Sequence, residues 1–140
     1  TSGGGQPSGT SYAGSCGTQT AAIVFGNAPS SNTNTFEYDG NSWTSGGALP
    51  TAAQRNSGAG TQTAALQAGN GPSATGFTAE YNGTSWTAKP SMAAARYNIA
   101  SSATGPSASS MVFGGNPNSG TTDATEEFTA PSVTANITSS

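Results

Sequence analysis

The chemistry open to this chain is narrow. Its 140 residues carry six carboxylates, three cationic side chains, one thiol and no histidine. Without an imidazole there is no Ser-His-Asp or Cys-His nucleophile, and most zinc and copper sites lose their usual ligand. Glu126 and Glu127 are the adjacent carboxylates. Neighbouring strand positions point to opposite faces, so the two do not flank one bond as an acid and a base must. Hydroxyls and amides remain, gathered in three polar segments: Ser31, Asn32 and Asn34 within 28–35, Ser73 and Thr75 within 71–76, and Asn118 and Ser119 within 117–122. Such groups suit hydrogen bonding to a glycan or a protein surface better than holding an ion, and loops vary without breaking the sheet that carries them. No catalytic residue, cofactor or metal site is expected. The run Gly3 to Gly5 lacks the Lys-Ser/Thr of a phosphate loop and reads as part of a flexible lead-in over residues 1–10.

Composition restricts partners in the same way. Only 6% of residues are charged, against about 25% in ordinary globular chains, and the net charge is −3. Arg55, Lys89 and Arg96 are too few to neutralise a run of phosphates, which argues against nucleic acid and an anionic membrane as partners. No stretch approaches the roughly 20 apolar residues of a membrane span. Thr1 rather than Met stands first, which suggests a processed N-terminus or a stretch of something longer. With one cysteine there is no intrachain disulfide; Cys16 aligns with Ala59 one repeat later and is expected to be a small buried side chain.

Elements that could position the polar segments follow from an internal repeat. "GTQTAA" at Gly17 to Ala22 returns at Gly60 to Ala65, and "FEYDGNSWT" at Phe36 to Thr44 returns as "AEYNGTSWT" at Ala79 to Thr87, both displaced by 43 residues. A looser third copy has "MVFGG" at Met111 to Gly115 and "TEEF" at Thr125 to Phe128. The boundaries predicted are 11–55, 56–98 and 99–140. Asp39-Gly40 and Asn82-Gly83 read as two-residue type I′ hairpin turns. Further strands are predicted near Ser57 to Thr61 and Thr63 to Gly69, making four antiparallel strands per unit, all β. The Ala runs near Thr51 and Met92 are too short for helices. The last unit lacks a fourth strand unless residues 132–138 or the N-terminal residues supply it. Glu37, Glu80 and Glu127 recur at one repeat position, which suggests Arg55 or Arg96 as a partner, or a solvated face.

A forty-odd-residue, four-stranded period carrying Gly26, Gly69 and the pair Gly114-Gly115, Tyr38 and Tyr81, Trp43 and Trp86, and the loops "LPTAAQR" to Arg55 and "PSMAAAR" to Arg96 resembles the kelch family of β-propellers. The resemblance implies about three four-stranded blades of a partial propeller, completed by oligomerisation or by a longer chain. It places Trp43 and Trp86 at packing positions rather than on a sugar platform. The histidines of kelch-type copper oxidases are missing. The Ser/Thr/Asn/Gly-rich texture is also similar to degenerate kelch-like repeats of marine bacteriophage tail, fibre and decoration proteins and of bacterial surface proteins. That likeness implies a non-enzymatic structural or host-recognition module on a virion or outside the cell, partnered by itself, by other virion or surface proteins, or by a glycan. A secreted bacterial adhesion module is the alternative. Asn82-Gly83-Thr84 and Asn136-Ile137-Thr138 fit a glycosylation pattern common by chance, and modification is not expected.

Overall fold

In the computed structural model the described residues are 3–102, 105–129 and, as backbone only, 136–139. The fold is all-β, with no helix among these residues and hence none long and apolar enough to cross a membrane. Three antiparallel four-stranded sheets follow one another along the chain. Sheet 1 holds β1 (Gly14–Thr18), β2 (Ala21–Phe25), β3 (Thr35–Tyr38) and β4 (Trp43–Ser45). Sheet 2 holds β5 (Ser57–Thr61), β6 (Ala64–Asn70), β7 (Thr75–Tyr81) and β8 (Trp86–Lys89). Sheet 3 holds β9 (Ala100–Ser101), β10 (Ser109–Phe113), β11 (Thr125–Thr129) and β12 (Asn136–Ser139). Each is a simple up-and-down meander, so every strand pairs with its sequence neighbour. The fourth strand of sheet 3 falls at Asn136–Ser139, paired with β11; residues 132–135 of the expected segment lie outside the described residues.

The sheets stack face to face in chain order, and burial along the strands records it. β5 and β6 of the middle sheet are buried at nearly every position, because both faces are covered. β10 alternates exposed and buried, as a strand covered on one face must. The first strands of the three sheets lie side by side: the Ser101 hydroxyl donates to Gly58 O at 2.6 Å, and a Cβ on Gly58 would stand 2.7 Å from Ser15 N and 2.8 Å from the Phe25 ring. Gly and Ser in β5 are what permit this approach.

Between sheets 1 and 2 lies the main core, Ile23, Phe25 and Leu49 with Ala65, Ala79, Tyr81 and Trp86. Trp86 sits edge-on to Phe25 at 4.8 Å between centroids and donates its indole N–H to Thr35 Oγ1 at 2.9 Å. Tyr81 donates to the Glu37 carboxylate, and Gln62 Nε2 donates to Ala22 O at 3.0 Å and Tyr38 O at 2.7 Å. Burial, then the bond to Glu37, raises the Tyr81 phenol above its ordinary pKa.

Sheets 2 and 3 are joined differently. Phe128 packs on Ala59 and Leu66, while Ala68, Met92, Ile99 and Val112 form a second cluster. Beside them Arg96, fully buried, donates to Glu126 Oε1 at 2.6 Å, to Gly114 O at 2.9 Å and to Ala124 O at 2.8 Å. The buried Glu126 carboxylate also accepts from the Ala93 N–H at 2.8 Å and the Ala94 N–H at 3.2 Å. The pair thus pins the segment leaving sheet 2 to the β10–β11 pair of sheet 3.

Three expectations need correction. The hairpins are not two-residue type I′ turns on Asp39-Gly40 and Asn82-Gly83. Asp39 N–H donates to Ser42 O at 3.2 Å, and of the turn residues Gly40 alone has a positive φ, whereas type I′ requires two. The Asp39 carboxylate takes the Asn41 and Ser42 amides at 2.8 Å each, shifting the turn centre by one residue, and Asn82 Oδ1 repeats this with Thr84 and Ser85 at 2.9 Å. These backbone bonds lower the Asp39 pKa. Second, Arg55 and Arg96 are not at equivalent positions. Arg55 belongs with Tyr12 and Asn98, all at positive φ (54°, 53° and 52°), whereas Arg96 O accepts from Asn70 N–H as Ala53 O accepts from Asn27 N–H. Third, of the two alternatives for Glu37, Glu80 and Glu127, the arginine partner fails and the solvated face holds at Glu127, which is exposed: Glu37 accepts from Tyr81, Glu80 pairs with Lys89 at 2.8 Å, and Arg96 takes Glu126.

Removing one member of a buried, bonded pair strands the other. Arg96→Ala is expected to cost about 3–5 kcal/mol in urea unfolding, and the apolar double replacement Arg96→Met with Glu126→Leu to recover most of it. A single substitution that leaves the midpoint unchanged would contradict the pin.

Candidate recognition surface

The polar segments singled out in the sequence are the β2–β3, β6–β7 and β10–β11 connections. The antiparallel meander brings them to the end of each sheet where the first strand starts, since Gly14 pairs with Phe25 and Ser57 with Ala68. Ser31, Asn34, Ser73, Thr75, Asn118 and Ser119 are exposed, and Asn32 is half-buried. The structure joins two of the three segments directly: Asn118 Oδ1 accepts from the Ala74 N–H at 2.7 Å, placing Asn118 next to Ser73. Thr75 opens β7 and bridges to Arg96. Asn32 is spent locally, its Oδ1 accepting from the Asn34 N–H at 3.0 Å while its backbone bridges to Ala53. Gly26, Gly69 and Gly114 turn the chain out of the second strands at φ of 69°, 74° and 66°, and Gly115 follows at 98°.

Between these connections runs a feature the sequence reading missed. The Arg55 guanidinium lies 4.8 Å from the Tyr12 ring centroid and 6.0 Å from that of Tyr97, and Tyr12 is 60% exposed. The row continues through the backbone, Arg55 N–H to Tyr12 O and Asn98 N–H to Arg55 O. A guanidinium held between two aromatic faces presents fixed donors to an anionic or hydroxyl-rich group. The signal in the sequence was Tyr12, Arg55 and Asn98 at 43-residue spacing, hidden because their side chains differ.

The carboxylates are mostly committed to structure, Glu126 to Arg96, Glu37 to Tyr81, Glu80 to Lys89 and Asp39 to its own turn. Glu126 is buried and Glu127 exposed, on opposite faces as the alternation requires. Among the described residues no cluster of three or more His, Cys, Asp or Glu could hold a metal ion. The lead-in is in contact with the fold, with Gly3 against Tyr38 and Gly4 against Asn41 and Ser42.

Cys16 stands in β1 facing β5, half-buried rather than fully buried, its Sγ 3.8 Å from Thr61 O, and burial pushes its thiol up to about 12 from 9.0. The thiolate fraction near pH 8 then falls about a thousandfold. Iodoacetamide at pH 8 is therefore expected to leave the native chain unlabelled over the time in which urea-unfolded chain takes up one equivalent; equal rates would contradict this environment. Compared with known proteins, the chain matches no family model, and no curated protein matches it.

Proposed function

We propose that the chain is a non-enzymatic recognition and structural module built of kelch-like blades, carried on a virion appendage or surface protein and engaging a host-surface glycan or protein. The observation that carries the reading is the end of the stack where uncharged hydroxyls and amides of successive repeats are exposed, with Asn118 bonded to Ala74 across two repeats and the Tyr12–Arg55–Tyr97 row alongside. A rigid scaffold presenting variable polar loops is how β-repeat folds recognise ligands. The blade reading is supported by the 43-residue period, the four-stranded meanders and the side-by-side first strands. The virion assignment is supported by the Ser/Thr/Asn/Gly-rich, weakly charged texture of the repeats.

Labelled chain on a panel of surface polysaccharides is expected to bind saturably and release no sugar. Combined Asn34→Ala, Ser73→Ala and Ser119→Ala substitution should weaken that binding at least about tenfold, as loss of several interface hydrogen bonds does. Sugar release, or binding indifferent to the loops, would overturn the reading.

A further inference from the structure

We propose that the chain binds a second copy of itself head to tail, the open face of sheet 1 in one copy seating on the open face of sheet 3 in the other. The inference rests on the propeller reading above, and it follows from what the contact between sheets 1 and 2 is made of. Sheet 2 contributes Gln62, Tyr81 and Trp86. Sheet 1 receives them with Phe25, Thr35, Glu37 and the carbonyls of Ala22 and Tyr38.

Both halves of that contact recur, unengaged by another sheet, at the two ends of the stack. One repeat before Gln62, Tyr81 and Trp86 stand Gln19, Tyr38 and Trp43. Tyr38 and Trp43 are already arranged as their counterparts are: ring centroids 5.0 Å apart at 37°, against 5.0 Å at 38° for Tyr81 and Trp86. Trp86 is 8% exposed inside the stack, whereas Trp43 is only half-buried. Gly3 and Gly4 lie against Tyr38 and Asn41 as Gly46 and Gly47 lie against Tyr81 and Thr84, and with Gln19 they line a groove of about 530 Å³.

At the other end, strand register identifies the receiving positions. Ile23 pairs with Glu37 and Phe25 with Thr35; in sheet 3 Met111 pairs with Glu127 and Phe113 with Thr125. These four share one face, by alternation. Met111 and Phe113 are 38% and 39% exposed, the large apolar side chains left open among the described residues of this sheet, while Ile23 and Phe25 are buried under sheet 2. The acceptor carbonyls of Ala22 and Tyr38 correspond to those of Ser110 and Phe128, which line a second groove of about 240 Å³.

The contact expected therefore sets Trp43 on Phe113 with its indole N–H on Thr125 Oγ1, the Tyr38 hydroxyl on the Glu127 carboxylate, and the Gln19 amide on the Ser110 and Phe128 carbonyls. The interface is heterologous, so two copies meet through it twice, each sheet 1 on the other's sheet 3. Two copies of the three described sheets make six, within the about four to eight of closed propellers.

The test is solution mass by light scattering with sedimentation equilibrium, on wild type, Trp43→Ala and Phe113→Asp, with circular dichroism to verify that each variant is folded. Wild type is expected at twice the 13.6 kDa chain mass. Each variant should dissociate about 30-fold or more readily, as loss of a buried aromatic anchor does. Mixing the two variants should give a dimer tighter than either variant forms alone, because one of the two contacts in the mixed pair is intact. A single-chain mass at every concentration, a dimer indifferent to both variants, or no recovery on mixing would each overturn the proposal. Glycan binding by the loops is read separately, so failure here leaves the recognition reading standing, and its failure leaves this one.

Discussion

The structure depends on one constraint: no sheet of this chain can bury its apolar residues alone. Leu, Ile, Val and Phe number 13 in 140 residues, and the strands are filled instead with Gly, Ala, Ser and Thr. Small side chains give little hydrophobic driving force per residue but allow close backbone approach. Stability must then come from a few large side chains placed where two sheets meet, each also bonded across the gap. Trp86 is the clearest case, wedged on Phe25 with its N–H on Thr35, and Tyr81 and Gln62 reach across the same seam. Each repeat is completed by its neighbour, the general logic of quasi-one-dimensional repeat proteins.

The same constraint explains why the second seam carries an ion pair. At the position held by Phe36 in sheet 1 and Ala79 in sheet 2, sheet 3 has Glu126. An unpartnered carboxylate there would be very costly, and Arg96 with two loop amides satisfies it. A hydrogen-bonded pair of this kind fixes geometry more than it adds stability, holding the connection from sheet 2 in one place against sheet 3. Polar side chains thus do the joining that leucines do elsewhere, which leaves exposed loops free to be polar and uncharged.

Much of this was legible in the residues. The strands Ser57–Thr61 and Ala64–Asn70 were readable because Gly punctuates them and the 43-residue period repeats them. The existence of the β3–β4 hairpin was readable from Asp39-Gly40, but its register was not, because the Asp39 side chain competes for the turn amides and moves the turn by one residue. The Arg96–Glu126 pair was hidden for a different reason. Alignment of the repeats drew attention to Glu37, Glu80 and Glu127 as a column, while the informative residue was Glu126, a charge in a column otherwise occupied by Phe and Ala. The Tyr12–Arg55–Tyr97 row escaped because one backbone position, at positive φ in all three repeats, is held by Tyr, Arg and Asn in turn.

The most direct measurement of the central claim, that sheets 1 and 2 are locked by the Trp86 wedge, is hydrogen exchange at the indole N–H of Trp86, assigned by comparison with Trp43→Phe. If the indole is held on Thr35 beneath Phe25, its exchange requires the two sheets to separate, and its protection should match that of the slowest β2 and β6 amides. Exchange at the rate of a free indole, with those amides still protected, would show that the sheets are not joined through Trp86.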